Sequence, residues 1–497
     1  MQDIKIREDK IKEKRKKTSR KTFVQEVGSW RSLVLYRWPS FVSRFPKEKE
    51  NIVKTTYFEE ERDNLIKSWQ TIQQDKGFFD QFGILWGNAL HPNILHYAQN
   101  ENCDFVDVCL GSKNCYLSNV VILDCSNVLY SLSAKENSHN VLNSVSVINN
   151  SENIYFWNGI IESFNVFYSR YINTSNNIWF STNLAGCSEC IFCDDLENQS
   201  YCIKNKQYMK EEYFEEKKEI LKNKKLFATY FDETNRTWLN KWSENVSWIF
   251  LEKCHNLEQG IYGFQVSDSH NICSFGWKNT NTDIFDAMNG WSVGNSDYYC
   301  VYAAGAGSQN LYCSCHINNS SNIYYSYNLT VCSYCLGCIG LKNQSFCIFN
   351  KQYSKEERFE KANEIFAQMD REWILWNAFP WWLNPFYFND TLAYLIDDTF
   401  TKEEVTKQWY MRRDEEIKVD IPAWADILEV MDLDKYQRFN FSGEREINPE
   451  ILKKVIKDNK GNYYRIVPME LEFLQKYGLP LPEIHWLERI KLGFKFK

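Results

Sequence analysis

With 497 residues, 44% of them hydrophobic and 25% charged, the chain has the composition of a folded protein with a sizeable core, which excludes wholesale disorder. The net charge of −7 hides an asymmetry: residues 1–21 hold ten Lys/Arg against four acids, a balance of +6 that leaves −13 on the remainder. No apolar run of about 18 residues or more occurs, so a membrane-spanning helix is not expected.

The chain opens on a basic leader, expected over 1–24, whose cluster Lys10–Lys21 includes Lys12, Lys14, Arg15, Lys16, Lys17 and Arg20. Such a cluster can meet nucleic acid or an anionic surface, although a charge run is most often a solvated face. No apolar core follows it, so it does not read as a secretory signal, and acids within it argue against a transit peptide. An N-terminal module is expected over 25–100.

Residues 101–204 carry a repeat. A phrase Ser-x-Asn-(Val/Ile/Cys) places its polar residue at Asn114, Asn127, Asn140, Asn153, Asn165, Asn177 and Glu189, at intervals of 13, 13, 13, 12, 12 and 12. The following residues are Cys115, Val128, Val141, Ile154, Val166, Ile178 and Cys190. A short-period β-solenoid produces such a pattern, because equivalent residues of successive coils stack into ladders. A capping helix at about 209–222 and a linker are expected to fill 205–245.

The phrase returns over 246–349, with its polar slot at Asn256, Asn271, Asp283, Asp297, Asn310, Asn322 and Tyr334. At an offset of 145 the arrays match: Cys187, Cys190, Cys193 and Cys202 become Cys332, Cys335, Cys338 and Cys347, and NQSYCIKNKQYMKEE at 198–212 becomes NQSFCIFNKQYSKEE at 343–357. The chain therefore contains an internal duplication. A second capping helix, within 350–380, begins at a Ser354-x-x-Glu357 capping box, and Met209 replaces that serine in the first copy. A linker over 381–447 and a small module over 448–497 complete the chain. The expected fold is mainly β: two tandem short-period solenoid arrays, each capped by a helix, with small α/β terminal modules.

Alternation along each strand points the Val/Ile ladder inward and stacks Tyr155, Phe167 and Trp179, and in the second copy Tyr299, Tyr312 and Tyr324, on the other face. These rings are the candidate binding surface, since flat rings suit sugars or bases. The competing expectation is that capping helices or the other solenoid cover them.

All 17 cysteines lie between Cys103 and Cys347. The run Cys187, Cys190, Cys193, Cys202 and its copy Cys332, Cys335, Cys338, Cys347 have the ligand type for zinc or an iron–sulfur cluster. Cys190 and Cys335 stand in slots filled by Val or Ile in preceding coils, which favours small core side chains and no cofactor. Without a secretory signal, reduced thiols in the cytoplasm are the expectation. Asp283 and Asp286 in NTDIFD resemble the first acidic motif of polygalacturonase-type β-helix hydrolases, but the further carboxylates and basic motifs that inverting chemistry needs have no counterparts downstream. No nucleotide-binding or triad signature is present.

Three segments carry a family resemblance: GFFDQF at 77–82 leading into NENC at 100–103 and KNCYL at 113–117; LKNQSFCIFNKQY at 341–353 with NPF at 384–386 and NDT at 389–391; and YRIVP at 464–468 with ELEFL at 470–474 and GLPLP at 478–482. Across roughly 77–492 the chain resembles a family of Cys-rich repeat proteins from the candidate phyla radiation of small-genome bacteria. In that family zinc-ribbon-like modules flank the repeats. Here no cysteine precedes 103 or follows 347, so the resemblance implies terminal ribbon remnants without ligands, held by packing alone. The functional expectation is a non-catalytic scaffold presenting ladder surfaces to a protein or glycan. The alternatives are a carbohydrate-active enzyme centred on Asp283 and Asp286, and nucleic-acid binding through Lys10–Lys21.

Overall fold

The computed structural model describes residues 20–30, 32, 36–37, 42–46, 49, 51–67, 71–97, 99–156, 158–227, 240–241, 251–252, 263–264, 281–282, 296–304, 307–414, 421–441 and 443–492. They fall into two compact units, Met1–Leu95 with Trp238–Arg413, and His96–Thr237 with Asp414–Lys497.

In the second of these units every third residue of the repeat has a left-handed backbone: Asn127, Tyr130, Ser133, Glu136, then Asn140, Asn143, Ser146, Asn149, and so on to Tyr201. A left-handed residue turns the chain, so each coil is a four-cornered frame built from triplets of corner, inward residue and outward residue. Asparagine tolerates this conformation better than most side chains, which is why it recurs at corners. The coils of thirteen residues differ from those of twelve by one extra left-handed residue at the fourth corner: Leu123–Asp124, Glu136–Asn137 and Asn149–Asn150 are doublets, whereas Glu162 and Thr174 stand alone. At the third corner Gly159 is required, since a Cβ there would lie 2.9 Å from the Tyr171 ring of the next coil.

Each repeat makes one coil with two strands. Ser126–Leu129, His139–Leu142, Glu152–Tyr155 and their successors pair in parallel on one side, and Leu132–Lys135, Val145–Ile148, Asn158–Ile161 on another, within a 16-stranded sheet. The predicted ladder is in register: Val128 opposes Val141, Val141 opposes Ile154, Ile154 opposes Val166, and Val166 opposes Ile178. Val121, Ala134, Val147, Ile160 and Ile172 form a second apolar column of the same buried core. Serine fills the two remaining inner sides. Ser131 Oγ donates to the Leu129 carbonyl at 2.7 Å and accepts the Ser144 N–H at 3.2 Å; Ser163 and Ser175 do the same on the opposite side. A hydroxyl here satisfies backbone groups that a narrow coil leaves without partners.

Beyond Ser200–Ile203 the chain folds back as Lys206–Gln207, and helix Lys210–Lys222 buries Tyr213 against Tyr201 at 5.8 Å. Met209 at its N-cap makes no side-chain cap bond. The C-terminal part pairs Asp426–Glu429 in parallel with Lys454–Lys457, so the segment read as a linker supplies a strand. Helix Pro468–Lys476 follows.

In the other unit the second array runs from Ser296–Ala304 and Gln309–Asn318 through Ser321–Tyr324, Tyr327–Thr330 and Ser333–Leu336 to Cys347–Ile348, again parallel and again cornered at every third residue from Asn310 to Phe349. Helix Lys355–Arg371 caps it with both bonds of the Ser354–Glu357 capping box. Helix Phe78–Asn88 packs Phe78 on Tyr325 at 5.1 Å and on Phe349 at 5.3 Å. The chain is mainly β, with two solenoid arrays, a helix after each and small α/β parts, as its periodicity foretold.

Candidate functional site

Of the rings singled out from the sequence, Tyr155, Phe167, Trp179, Tyr312 and Tyr324 do not form an open surface. Tyr155, Phe167 and Trp179 are buried, as are Tyr312 and Tyr324. Phe473 and Tyr477, at the end of helix Pro468–Lys476, cover the first set, with Phe473 at 5.8 Å from Tyr155 and Tyr477 at 5.1 Å from Phe167. Tyr312 and Tyr324 stack at 4.7 Å and 4°, and Trp376 and Phe366 close over them. Tyr299 lies in register with Tyr312. Apolar area of this size stabilises the fold when it is covered and is costly when it is not. For Tyr155, Phe167, Trp179, Tyr312 and Tyr324 burial therefore stands against an open binding surface.

Along most of its length the first solenoid is open on the side between its Asn corner and its fourth corner. Asn102, Asn114, Asn127, Asn140, Asn153, Asn165, Asn177 and Glu189 form a continuous ladder in which each Nδ2 donates to the next side-chain oxygen, at 2.8–3.3 Å. At the fourth corner Asn137 donates to Asn150 at 2.8 Å and Asn149 to Glu162 at 2.7 Å. Between the two lines stand Ser126, His139, Glu152, Phe164 and Asn176, of which Phe164 is 45% exposed. His139 is fixed by Ser126 at 2.8 Å and Asn137 at 2.9 Å.

The cysteines complete the columns. Cys190 and Cys202 continue the aliphatic ladder below Ile178, as the sequence indicated. Cys187 and Cys193 replace serine at the ends of the two hydroxyl columns: their N–H groups donate to Ser175 and Ser181 at 3.0 Å. Cys332 and Cys338 repeat this under Ser320 and Ser326, at 2.9 and 3.0 Å, and Cys335 opposes Ile323. Cys347 is buried and its thiol points to the Ser345 carbonyl at 3.6 Å. A hydrogen bond from Cys190 draws the Cys193 thiol down to about 7, and the same bond together with burial pushes Cys190 up. At the other end of the array, hydrogen bonds from Cys109 and Cys115 draw Cys103 down to about 3. Among the described residues no group of three or more His, Cys, Asp or Glu is disposed to hold a metal ion.

Sequence reasoning passed over a second aromatic column, at the corner three residues after each Asn. Phe156, Tyr168, Phe180 and Phe192 stack at 5.3, 5.3 and 5.1 Å with planes within 28° of parallel. The twelve-residue spacing of these rings was its signal. Beside it lies a cavity of about 260 Å³ lined by Tyr155, Phe156, Tyr168, Phe227, Leu481 and Arg489, among others. The Arg489 guanidinium, fully buried, pairs with the equally buried Glu470 at 2.7 Å and lies 5.4 Å over the Tyr130 ring.

Asp283 and Asp286 lie outside the described residues, as do Lys10, Lys12, Lys14, Arg15, Lys16 and Lys17. Lys21 is described and is held by Glu404 at 2.7 Å and by the Phe400 ring. No described helix is long and apolar enough to cross a membrane. No protein-family model, no curated protein and no solved structure matches the chain.

Proposed function

We propose that the protein is a non-catalytic scaffold whose first solenoid presents its open amide-ladder side to an extended polysaccharide. The observation that carries this is the unbroken hydrogen-bonded line from Asn102 to Glu189. A primary amide has two N–H donors and two acceptor lone pairs, and the ladder uses one of each, so half-buried members such as Asn114, Asn127, Asn140 and Asn165 have hydrogen-bonding capacity beyond the ladder. Successive coils stack at the strand spacing of about 4.8 Å, so those groups recur at a constant interval along a straight line. A chain of sugar hydroxyls, which both donate and accept, complements such a line.

The charge of this side disfavours a polyanion. Glu101, Asp124, Glu136, Glu152 and Glu162 are on it, and the lysines Lys113 and Lys217 are paired with Glu101 at 2.9 Å and with the ladder's Glu189 at 2.8 Å. Nucleic-acid binding needs cations facing phosphates.

The test is sedimentation of the full chain with insoluble cellulose, chitin and xylan. Phe164→Glu alters the open side away from the ladder, and Asn176→Lys alters it beside Asn177, whose Nδ2 donates to Asn176 at 3.3 Å; both should abolish co-sedimentation with whichever polysaccharide the native protein binds. Equal binding by both variants, or no binding of the native chain to any of the three, overturns the proposal. Release of reducing sugar that disappears in Asp283→Asn would replace it with a hydrolase. Salt-sensitive DNA binding that vanishes on deleting 1–22 would replace it with a nucleic-acid protein.

A further inference from the structure

We infer that the cavity beside the aromatic corner column is a binding site for a small, uncharged, planar heteroaromatic molecule of one or two rings. This inference stands independently of the polysaccharide proposal, since the cavity and the open side are different surfaces of the same solenoid.

Phe156, Tyr168, Phe180 and Phe192 stack face to face along the solenoid axis. Their faces are spent on one another, so the column turns ring edges outward. A ring edge carries the positive end of the quadrupole and takes the face of another ring. Phe227 shows that this column does so: it lies at 75° to Tyr168 and 68° to Phe180, with centroids at 5.2 and 5.1 Å. One step along the column, Phe156 and Tyr168 line the cavity, and Phe227 itself forms part of its wall. A flat ring placed there continues the arrangement that Phe227 begins. Pro480, Leu481 and Pro482 supply apolar lining, and about 260 Å³ accommodates one or two fused rings.

The rim sets the polarity of the occupant. Lys224 bridges Asp434 and Glu483 at 2.7 Å each, Lys460 meets Glu488 at 2.6 Å, and Arg489 is matched by Glu470. Every cation of the lining is thus matched by a carboxylate. Lys491 also meets Glu488, at 3.0 Å, so four cations face four carboxylates. The rim offers hydrogen-bond donors and acceptors without net charge, which suits the polar edge of a neutral heterocycle and not an anion or a cation.

Ligand-observed NMR on the full chain, with quinoline and adenosine as probes, tests this. Both rings should show saturation transfer from the protein, or quinoline alone if the ribose does not fit. Ile484→Trp fills the cavity from its half-exposed rim and should weaken binding by about tenfold or more, as loss of pocket volume does. Tyr168→Leu removes a ring edge from the opposite wall and should weaken it as well, so the test survives if either variant fails to fold. Benzoate should show no transfer. Absence of transfer to both probes in the native protein, binding unchanged in the folded variants, or benzoate binding as well as quinoline would overturn the inference.

Discussion

Asn153 donates its Nδ2 proton to Oδ1 of Asn165 at 2.9 Å across twelve residues, and accepts the Nδ2 proton of Asn140 at 2.9 Å across thirteen. The bond length is the same although the coil length changes. The extra residue is absorbed at a different corner, in the doublet Asn149–Asn150, so the ladder never loses register. Insertion at one corner thus leaves the other three columns intact.

Asn153 has a left-handed backbone as well as two ladder bonds. Asn153→Gly keeps the backbone and removes the bonds, which should cost about 1–2 kcal/mol. Asn153→Ala adds the left-handed penalty and should be worse by about another 1 kcal/mol. Urea unfolding of the two variants side by side checks the order, and equal stability would show that the corner carries no strain.

Ser175 Oγ donates to the Asn173 carbonyl at 2.7 Å and accepts the buried Cys187 N–H at 3.0 Å. Ser175→Ala strands that N–H in a dry coil and should destabilise by about 1–3 kcal/mol. Ser175→Cys should cost less, because Cys193, in the equivalent role on the other serine column, accepts the Asn205 N–H through sulfur at 3.5 Å. A cysteine variant no more stable than the alanine variant would refute the exchangeability of the two side chains in these columns.

Removing Arg489 leaves the Glu470 carboxylate buried without its partner. Arg489→Met should therefore cost about 3–5 kcal/mol, and Arg489→Met with Glu470→Leu should recover most of it. The comparison is again denaturant unfolding of the full chain. A double variant as weak as the single would mean that the pair contributes through packing and not through charge.

Burial holds His91 down to about 4, with Arg44 and Lys49 adding to the depression against the opposing Trp86 hydrogen bond. Its Nε2–H donates to the Trp86 carbonyl at 3.0 Å and its Nδ1 is buried without a partner. The folded ring stays neutral where the unfolded ring, at 6.5, takes up a proton. Stability is therefore complete above pH 6.5 and falls as pH drops toward 4, by up to about 3 kcal/mol from this group. His91→Leu should flatten the stability profile over that window, and an unchanged slope would assign the acid sensitivity elsewhere. His485 is depressed to about 4 for the same first reason, burial, and adds a parallel contribution in the other unit.

Much of this was legible from spacing. The inward ladder, its continuation into Cys190, the duplication, and the capping box at Ser354 with its failure at Met209 all appear where the sequence placed them. Of the two outcomes the spacing left for the aromatic columns, Tyr155, Phe167, Trp179, Tyr312 and Tyr324 take the covered one. Phe473 covers Tyr155 from more than three hundred residues further along the chain, in a segment that shares no period with the repeat. The corner column at Phe156 and Tyr168 was overlooked because aromatic residues are unexpected in the left-handed conformation.

By itself, then, the sequence determined the coil: a period of twelve or thirteen residues, the chemistry of each column, and two copies of the array. These follow from hydrogen bonding and stacking between neighbouring coils, which every repeat restates. Only the tertiary structure decided which sides of the coil are covered and where they stay open, and that a cavity adjoins the second ring column. Those outcomes depend on non-repeating segments returning from far along the chain, and their side chains obey shape and charge complementarity, for which a periodic pattern carries no signal.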